Sequence, residues 1–266
     1  MEPENSSLRH LLEVAEEVVT AASKLFVSRQ SQRPTWSSKA DRDPVSEVDL
    51  EIENLIRTHL AQAVPKIPFV GEETGGLIPA SGRCWVLDPI DGTVNYLQGS
   101  PLCGISLGLI ENRRAALGVV DLPFFNETFT GGRGISALRN GSPIYCKAPE
   151  NLEECVIAVG DYSVGSSSST KNHEKLKLHA HLANHAYRVR MLGSAAIDLV
   201  WTAAGNHGAC VALSNNPWDM TAGVAIAEAA NVIVVGQDSL PHSVDSKIVV
   251  ASGSQSVISE ILRSIN

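Results

Sequence analysis

Apolar residues recur at three- and four-residue spacings near the start of the chain, which is the period of an α-helix with one buried face. This pattern predicts a helix over residues 6–28. A second helix is predicted over Ser46–Ala63, where Ser46 lies three residues before Asp49 and so matches a capping box. The polar stretch 29–45 between them contains two prolines and is predicted to be a loop.

Short apolar runs separated by glycine and asparagine turns follow, and such runs are typical of β-strands. An Asn140-Gly141 pair predicts a hairpin turn between two further short strands. We therefore expect the first half of the chain to combine helices with an antiparallel sheet. The predicted strands before this hairpin are Ile67–Val70, Cys84–Leu87, Ser106–Ile110, Ala115–Asp121 and Glu127–Thr130.

Beyond about residue 149, short strands alternate with helices, which favours a partly parallel sheet. We therefore predict two halves, an α+β half over 1–149 and an α/β half over 150–266, and a polar surface loop at Ser166–Ser169. The predicted strands of the second half are Cys155–Val159, Arg188–Leu192, Ala209–Leu213, Val232–Val235 and Lys247–Ala251. The predicted helices are His173–His185, Ala195–Ala204, Met220–Ala230 and Val257–Ile265.

Composition limits the classes of function that this chain serves. Its 266 residues, 44% of them hydrophobic, suffice for a sizeable core. The net charge of −8 argues against a general nucleic-acid binder, and no uncharged run approaches the ~20 residues of a membrane span. The acidic N-terminus lacks the apolar segment of a signal peptide, and the five scattered cysteines indicate reduced thiols. We expect a cytoplasmic protein that binds neither nucleic acid nor membrane.

The segment Trp85–Thr93 carries the most chemical information, because an apolar run ends there in two acids three residues apart. Pro89 is expected to end the strand, since it has no N–H to donate to the sheet. The carboxylates of Asp88 and Asp91 and the hydroxyl of Thr93 then converge on one place. Hard cations such as Mg²⁺ prefer oxygen ligands of this kind. Close carboxylates repel one another, so we expect either a cation or a shared proton between them.

Three further acidic features occur along the chain. Glu72 and Glu73 directly follow a predicted strand, and Asp219 stands at the start of a predicted helix. Asp43 and Asp49 bracket the start of the second helix, where the helix dipole favours acids. Each has an ordinary structural explanation when it is taken singly, and for Asp219 that explanation is an N-cap.

Taken together, these segments resemble the inositol monophosphatase family of lithium-sensitive, Mg²⁺-dependent phosphatases. The resemblance implies an alternating αβαβα sandwich of mixed α+β and α/β character, usually assembled as a homodimer. It also implies a phosphomonoesterase that hydrolyses a small polyol, sugar or cyclitol phosphate by attack of a metal-activated water. The segments that carry the resemblance are Asp43–Asp49, Gly71–Glu73, Asp88–Tyr96, Gly193–Ala196 and Trp218–Gly223, in the order typical of the family.

The resemblance further implies roles for individual residues, with two or three Mg²⁺ ions as cofactors. Thr93 acts with Glu72 to orient the attacking water, and Asp49 supports Thr93. The implied metal ligands are Glu72, Asp88, Asp91, Asp219 and the carbonyl of Ile90. The implied substrate-binding residues are Asp91, Gly92, Thr93, Gly193, Ser194, Ala195, Ala212 and Asp219.

The leaving group stays open at this stage. Inositol-hydrolysing members carry a glutamate at the position that aligns with Ala212, and a methyl group accepts no hydrogen bond from a cyclitol hydroxyl. Histidinol phosphate, fructose 1,6-bisphosphate and adenosine 3′,5′-bisphosphate are therefore alternatives with the same chemistry. A non-catalytic scaffold would require the loss of metal ligands, and all the matched ligands are present.

Three other features also have two interpretations. Asp161 either reaches the substrate or stabilises a turn. Lys39 either contacts the phosphate or is an ordinary surface residue. The histidines between His173 and His185 are interpreted as a polar helix face in preference to a metal site.

Overall fold

Layers of helices and β-sheets alternate through this computed structural model, which describes residues 7–32, 34–40, 43–165 and 168–265. A seven-stranded sheet has helices on both of its faces. The helices on one of these faces also pack against a five-stranded sheet, and further helices cover the other face of that second sheet. The expected αβαβα sandwich is therefore confirmed.

The bounds of the elements are as follows. The helices are α1 (Leu8–Gln30), α2 (Glu47–Ala63), α3 (Thr93–Leu97), α4 (Ser168–His185), α5 (Ala195–Ala203), α6 (Pro217–Ala229) and α7 (Gln255–Ile265), with 3-10 turns at Pro123–Phe125 and Leu152–Glu154. The strands are β1 (Trp36–Ala40), β2 (Asp43–Ser46), β3 (Phe69–Gly71), β4 (Arg83–Asp91), β5 (Gly104–Glu111), β6 (Arg114–Leu122), β7 (Glu127–Gly132), β8 (Ile135–Arg139), β9 (Ser142–Pro143), β10 (Val156–Val159), β11 (Arg188–Arg190), β12 (Ala209–Ala212), β13 (Ile233–Val235) and β14 (Val249–Ser252).

The larger sheet has the strand order β3-β4-β5-β6-β7-β8-β9 and is antiparallel except between β3 and β4. Helices α1 and α2 cover one face, where Phe26, Ile52 and Trp85 belong to one buried apolar cluster. The predicted capping box of α2 is confirmed. The Ser46 hydroxyl caps the helix, and the Ser46 N–H donates to the Asp49 carboxylate over 2.8 Å.

The smaller sheet has the order β11-β10-β12-β14-β13, and β10 is parallel to both of its neighbours. The predicted partly parallel sheet is therefore confirmed. Helices α5 and α6 lie between the two sheets, while α4 and α7 cover the outer face. Strands β3–β9 form one sheet and β10–β14 the other. The division into domains at 1–149 and 150–266 stays a prediction.

Helix α6 lies directly on the larger sheet because two strands present glycine where the helix crosses them. A Cβ on Gly118 would lie 2.3 Å from the carbonyl oxygen of Ala222, and one on Gly108 would lie 2.7 Å from the Thr221 side chain. The Ser106 hydroxyl also donates to the carbonyl of Trp218 over 3.3 Å. These contacts hold the first turn of α6 against the middle of the sheet.

The predicted loop over 29–45 is partly wrong, because α1 extends to Gln30 and strands β1 and β2 form an antiparallel hairpin. The strands of this hairpin carry polar residues and leave Trp36 62% exposed. Its backbone hydrogen bonds, and not a buried face, therefore define it. A method that reads strands from apolar periodicity has no signal to detect there.

Two smaller predictions also need correction. Pro89 does not end the strand, since β4 continues to Asp91 with an irregular register between Asp88 and Asp91, which is where a strand tolerates proline. Ser168 and Ser169 belong to α4, whereas the rest of the predicted loop, 166–167, lies outside the described residues. In the described part of the chain, no helix combines the length and the hydropathy needed to cross a bilayer.

We predict that Gly118→Ala lowers the free energy of unfolding by about 1–3 kcal/mol, because the new methyl group overlaps the α6 backbone. Urea denaturation measures this change. Gly160→Ala is the matched control, since a Cβ there would lie 3.5 Å from its nearest neighbour, at ordinary contact distance. Equal stability of the two variants would contradict the close packing of α6 on β6.

Candidate active site

Asp88 and Asp91 lie at the irregular end of β4 and are almost fully buried, at 4% and 5% exposed. Asp88 accepts a hydrogen bond of 2.9 Å from the N–H of Ile90. Gly92 has a φ of +91°, in the left-handed region that favours glycine, and turns the chain into α3. The Thr93 hydroxyl donates to the Ile90 carbonyl over 3.1 Å. One turn therefore brings together two carboxylates, a carbonyl and a hydroxyl.

The Asp91 carboxylate connects this turn to the other half of the chain. It accepts hydrogen bonds from the Ser194 hydroxyl and from the backbone N–H groups of Ala196, at 2.7 Å, and Ala195, at 3.3 Å. These N–H groups open α5 and have no partner within the helix, so an acid is favoured there. Burial nevertheless raises the pKa of Asp91 to about 6, although the three hydrogen bonds lower it.

Glu72 follows β3 in a loop that a buried carboxylate holds in place. Glu53, on α2, is 1% exposed and accepts hydrogen bonds from the N–H groups of Glu73, at 2.9 Å, and Thr74, at 3.1 Å. Arg57 pairs with the same carboxylate. Our sequence analysis missed Glu53. The sequence feature that could have revealed it is an acid on the face of α2 that otherwise carries buried apolar residues such as Ile56.

Asp219 lies in the first turn of α6 and is not its N-cap. Asn216 holds that position, and its side-chain amide donates to the Asp219 carboxylate over 3.0 Å. The simple capping interpretation of Asp219 is therefore wrong.

The loop that leads to Asp219 is held by His242, which our sequence analysis also missed. The Nε2 of His242 lies 2.9 Å from the side-chain oxygen of Asn215, and the Asn215 amide donates to the carbonyls of Ser243 and Ser246. Burial and, to a smaller extent, the charge of Arg114 lower the pKa of His242 to about 4. The histidine is therefore neutral at pH 7 and donates to Asn215.

The four acids share one electrostatic environment. Burial raises the pKa of Asp88 well above its usual range, and the charges of Glu72 and Asp91 raise it further. The pKa of Asp219 is raised in the same way, by burial first and then by Asp91 and Glu72. Glu72 and Asp91 therefore lie close enough to act on both of these aspartates, so the structure brings together residues from β4, α6 and the loop after β3.

This cluster offers the type of ligand that Mg²⁺ prefers, because it combines excess negative charge with carboxylate and carbonyl oxygens. Each carboxylate is engaged with the protein, and within the described ranges no three acidic, histidine or cysteine side chains are already arranged around an ion position. Lys39 lies 2.8 Å from an oxygen of Glu72 and 2.8 Å from one of Glu73. Burial alone would lower the pKa of Lys39, but these two contacts raise it above its ordinary value. The Lys39 charge therefore offsets part of the negative charge of these two glutamates.

Asp49 and Thr93, the predicted supporting pair, have other hydrogen-bond partners. One oxygen of Asp49 accepts from the Ser46 hydroxyl and N–H, and the other is buried without a partner. Burial raises the pKa of Asp49 to about 7, although the Ser46 hydrogen bonds lower it. Thr93 bonds to Ile90, and no hydrogen bond of the described residues joins it to Asp49.

A cavity of about 200 Å³ opens beside Asp91 and Asp219. Four more of the predicted substrate-binding residues line it, whereas Gly92 and Thr93 lie at the start of α3. Asp198 also lines the cavity and was missed, although it is the only charged residue in the sequence of α5. The predicted residues on its wall, besides Asp91 and Asp219, are Gly193, Ser194, Ala195 and Ala212.

Asn95 holds the wall of this cavity in place, a role that our sequence analysis did not assign. Its side-chain amide donates to the carbonyls of Leu102, at 2.7 Å, and Leu192, at 2.8 Å. The two carbonyls lie on different halves of the chain. Asn95 therefore fixes the backbone just before Gly193.

Comparison with known proteins identifies one family over nearly the whole chain. The family model described as "Inositol monophosphatase family" matches residues 7–265. The inositol-1-monophosphatase ImpA of Mycolicibacterium smegmatis is 34% identical over 92% of this chain and 88% of its own length. The fructose-1,6-bisphosphatase/inositol-1-monophosphatase of Thermotoga maritima is 35% identical over 73% of this chain and 71% of its own length.

Solved structures with the same fold include two bacterial proteins. The extragenic suppressor protein suhB of Bartonella henselae has a TM-score of 0.88 and 27% identity, over 97% of this chain and 98% of that one. An inositol monophosphatase of Thermotoga maritima has a TM-score of 0.86 and 29% identity, over 97% of both chains. The family resemblance inferred from the motifs is confirmed.

We predict that Glu53→Ala lowers the free energy of unfolding by about 2–4 kcal/mol, since it leaves the Arg57 charge and two N–H groups without their acceptor. The amides of Glu73 and Thr74 should also exchange hydrogen faster, which mass spectrometry detects. Glu51→Gln is the control, because Glu51 pairs with Arg29 at the surface. Unchanged exchange in Glu53→Ala would show that the carboxylate does not hold the loop.

We predict that His242 makes the fold sensitive to acid. A histidine with a lowered folded pKa contributes full stability above its unfolded value of 6.5 and loses it as the pH falls toward about 4. Wild type should therefore lose about 2–3 kcal/mol more than His242→Gln between pH 7.5 and 4. Urea denaturation at both pH values measures the difference. Parallel losses in the two proteins would rule out this role.

Proposed function

This chain belongs to the inositol monophosphatase family, a family of phosphoric monoester hydrolases, and we propose that it is a Mg²⁺-dependent phosphomonoesterase. Its proposed substrate is a small polyol, sugar or cyclitol phosphate. The proposal rests mainly on the mutual electrostatic influence of Glu72, Asp88, Asp91 and Asp219, which come from three separate segments of the chain.

We propose that these four carboxylates and the Ile90 carbonyl hold two or three Mg²⁺ ions. When bound, Mg²⁺ would neutralise charge on the phosphoryl group and lower the pKa of a coordinated water. The protein's own contribution is to hold the oxygen donors in a buried region where their charges are not screened by solvent. The raised pKa values of Asp88 and Asp219 support this, since each ionised acid needs a compensating positive charge.

The proposed catalytic residues are Glu72, Thr93 and Asp49. Thr93 and Glu72 would orient the water that attacks phosphorus, and the backbone N–H groups of Gly92 and Thr93 would donate to the phosphate oxygens. The unpartnered oxygen of Asp49 would then accept a hydrogen bond from the Thr93 hydroxyl. The Thr93 hydroxyl would then give up its hydrogen bond to the Ile90 carbonyl. The oxygen of that carbonyl would become available to bind a metal ion, as proposed for Ile90.

The leaving group would occupy the cavity beside Asp91 and Asp219. Its proposed contacts are with Gly193, Ser194, Ala195 and Ala212. A Thermotoga maritima relative is named for both fructose 1,6-bisphosphate and inositol 1-phosphate, so membership of the family does not by itself define the leaving group. A homodimer and a cytoplasmic location stay predictions.

We predict that Asp88→Asn and Asp219→Asn each reduce kcat/KM for 4-nitrophenyl phosphate by about 10³-fold or more, because each removes a charged metal ligand. The wild-type rate should vanish in EDTA and return when Mg²⁺ is added in excess. Circular dichroism should show that both variants fold. Glu51→Gln is the control variant and should keep the wild-type rate.

Two results would count against the proposal. Turnover near the wild-type rate in both aspartate variants would remove the metal assignment. Hydrolysis that persists undiminished in EDTA would remove the dependence on a divalent cation.

A further inference from the structure

Asp219 is the one proposed metal ligand that belongs to the second half of the chain, and its position depends on the loop that leads into α6. This loop joins β12 to α6 over residues 213–216. Ser214 and Asn216 are exposed, whereas Asn215 between them is half-buried. The side chain of Asn215 therefore contacts the protein in preference to solvent.

The Asn215 side chain joins its own loop to a second loop, residues 242–246. Its amide nitrogen donates to the carbonyls of Ser243, at 3.1 Å, and Ser246, at 2.7 Å, and its oxygen accepts from the Nε2 of His242, at 2.9 Å. A side-chain amide offers two N–H donors and one acceptor oxygen, so every polar group of this side chain is engaged with the second loop. We call Asn215 together with residues 242–246 the clamp.

The clamp is fixed to both sheets. The N–H of His242 donates over 3.1 Å to the carbonyl of Val234, on β13 of the smaller sheet. The N–H of Val244 donates over 3.1 Å to the carbonyl of Arg113, in the turn between β5 and β6 of the larger sheet. The Arg113 side chain also pairs with Asp245, with 2.7 Å between its Nε and a carboxylate oxygen. The clamp is therefore anchored to both halves of the chain.

One small apolar cluster links the clamp to three of the segments that carry proposed ligands. Val70 and Val86 are buried in this cluster, and each stands two positions before a proposed ligand. Trp218, which directly precedes Asp219, packs against the same cluster, and so does Val244 of the clamp. Displacement of the clamp would therefore change how Asp219 is placed relative to the other ligands.

We propose that the Asn215–His242 hydrogen bond and the rest of the clamp position Asp219, and that the clamp thereby sets the affinity of the site for its divalent cation. This inference rests on the proposed Mg²⁺-dependent function. Neither Asn215 nor His242 is a proposed metal ligand. Both act through the backbone that leads to Asp219, so they are positioning residues.

Binding of Mn²⁺ tests the proposal without reference to catalysis. In a titration of the full chain, electron paramagnetic resonance measures free Mn²⁺ and so gives the number of sites and their Kd. Asn215→Ala should raise the Kd of at least one site by about tenfold, since groups that hold a metal ligand in place contribute roughly 10- to 100-fold to affinity. Asp219→Asn, which removes the charge of the ligand itself, should raise the Kd at least as much.

A matched control makes the same chemical change elsewhere. Asn184 is exposed on α4, and its side-chain amide donates to the carbonyl of Ala180 over 3.0 Å. Asn184→Ala should therefore leave the Kd for Mn²⁺ unchanged.

Kinetics separate positioning from a loss of folded protein. In Asn215→Ala, the Mg²⁺ concentration for half-maximal hydrolysis of 4-nitrophenyl phosphate should rise about tenfold. The kcat at saturating Mg²⁺ should stay within about threefold of wild type, because every ligand is still present. A preparation that merely contained less folded protein would bind fewer ions at the wild-type Kd.

Two substitutions of His242 test the hydrogen bond from its other partner. His242→Ala should raise the Kd for Mn²⁺ as Asn215→Ala does. His242→Gln should restore part of the affinity, because glutamine keeps an N–H donor of similar reach. Asn215→Ser, which removes less volume, takes the place of Asn215→Ala if that variant does not fold.

The outcomes distinguish this inference from the proposed function. An unchanged Kd in the folded Asn215 and His242 variants, with a raised Kd in Asp219→Asn, would overturn the inference and leave the metal site in place. A Kd raised as much by His242→Gln as by His242→Ala would remove the role of the hydrogen bond. Absence of Mn²⁺ binding in wild type would refute the proposed function itself.

Discussion

The contact between the Asp91 carboxylate and the start of α5 is the interaction on which the rest of the site depends. Asp91 ends a strand of the seven-stranded sheet, and the Ser194 hydroxyl and the N–H groups of Ala195 and Ala196 begin a helix of the other half. One buried charge thereby sets the position of one half against the other. The cavity exists because this contact places the wall formed by α5 opposite the end of β4.

A cluster of buried carboxylates is costly, and the protein offsets that cost with fixed hydrogen-bond donors. Asp88 accepts from a backbone N–H, Asp219 accepts from the Asn216 amide, and Glu72 contacts Lys39. These donors stabilise the charges of the acids. A divalent cation that replaces some of them would relieve more of the repulsion, because it brings two positive charges to the centre of the cluster.

The sequence predicted those features that depend on local pattern. The amphipathic helices, the capping box at Ser46 and the acids at the end of β4 were all recognisable from neighbouring residues. The exposed β1–β2 hairpin was missed, because hydrogen bonds between polar strands leave no apolar periodicity. The roles of Glu53, Asn95 and His242 depend on contacts between segments far apart in sequence, so no local pattern reveals them.

The most direct test of the account is a crystal structure with Mn²⁺ replacing Mg²⁺, in which anomalous scattering locates the ions. We predict two or three peaks, with carboxylate oxygens of Glu72, Asp88, Asp91 and Asp219 about 2 Å from them. Lys39 should then have moved away from Glu72. Peaks at other residues only, or no peak at saturating Mn²⁺, would contradict the claim that these acids share a metal site.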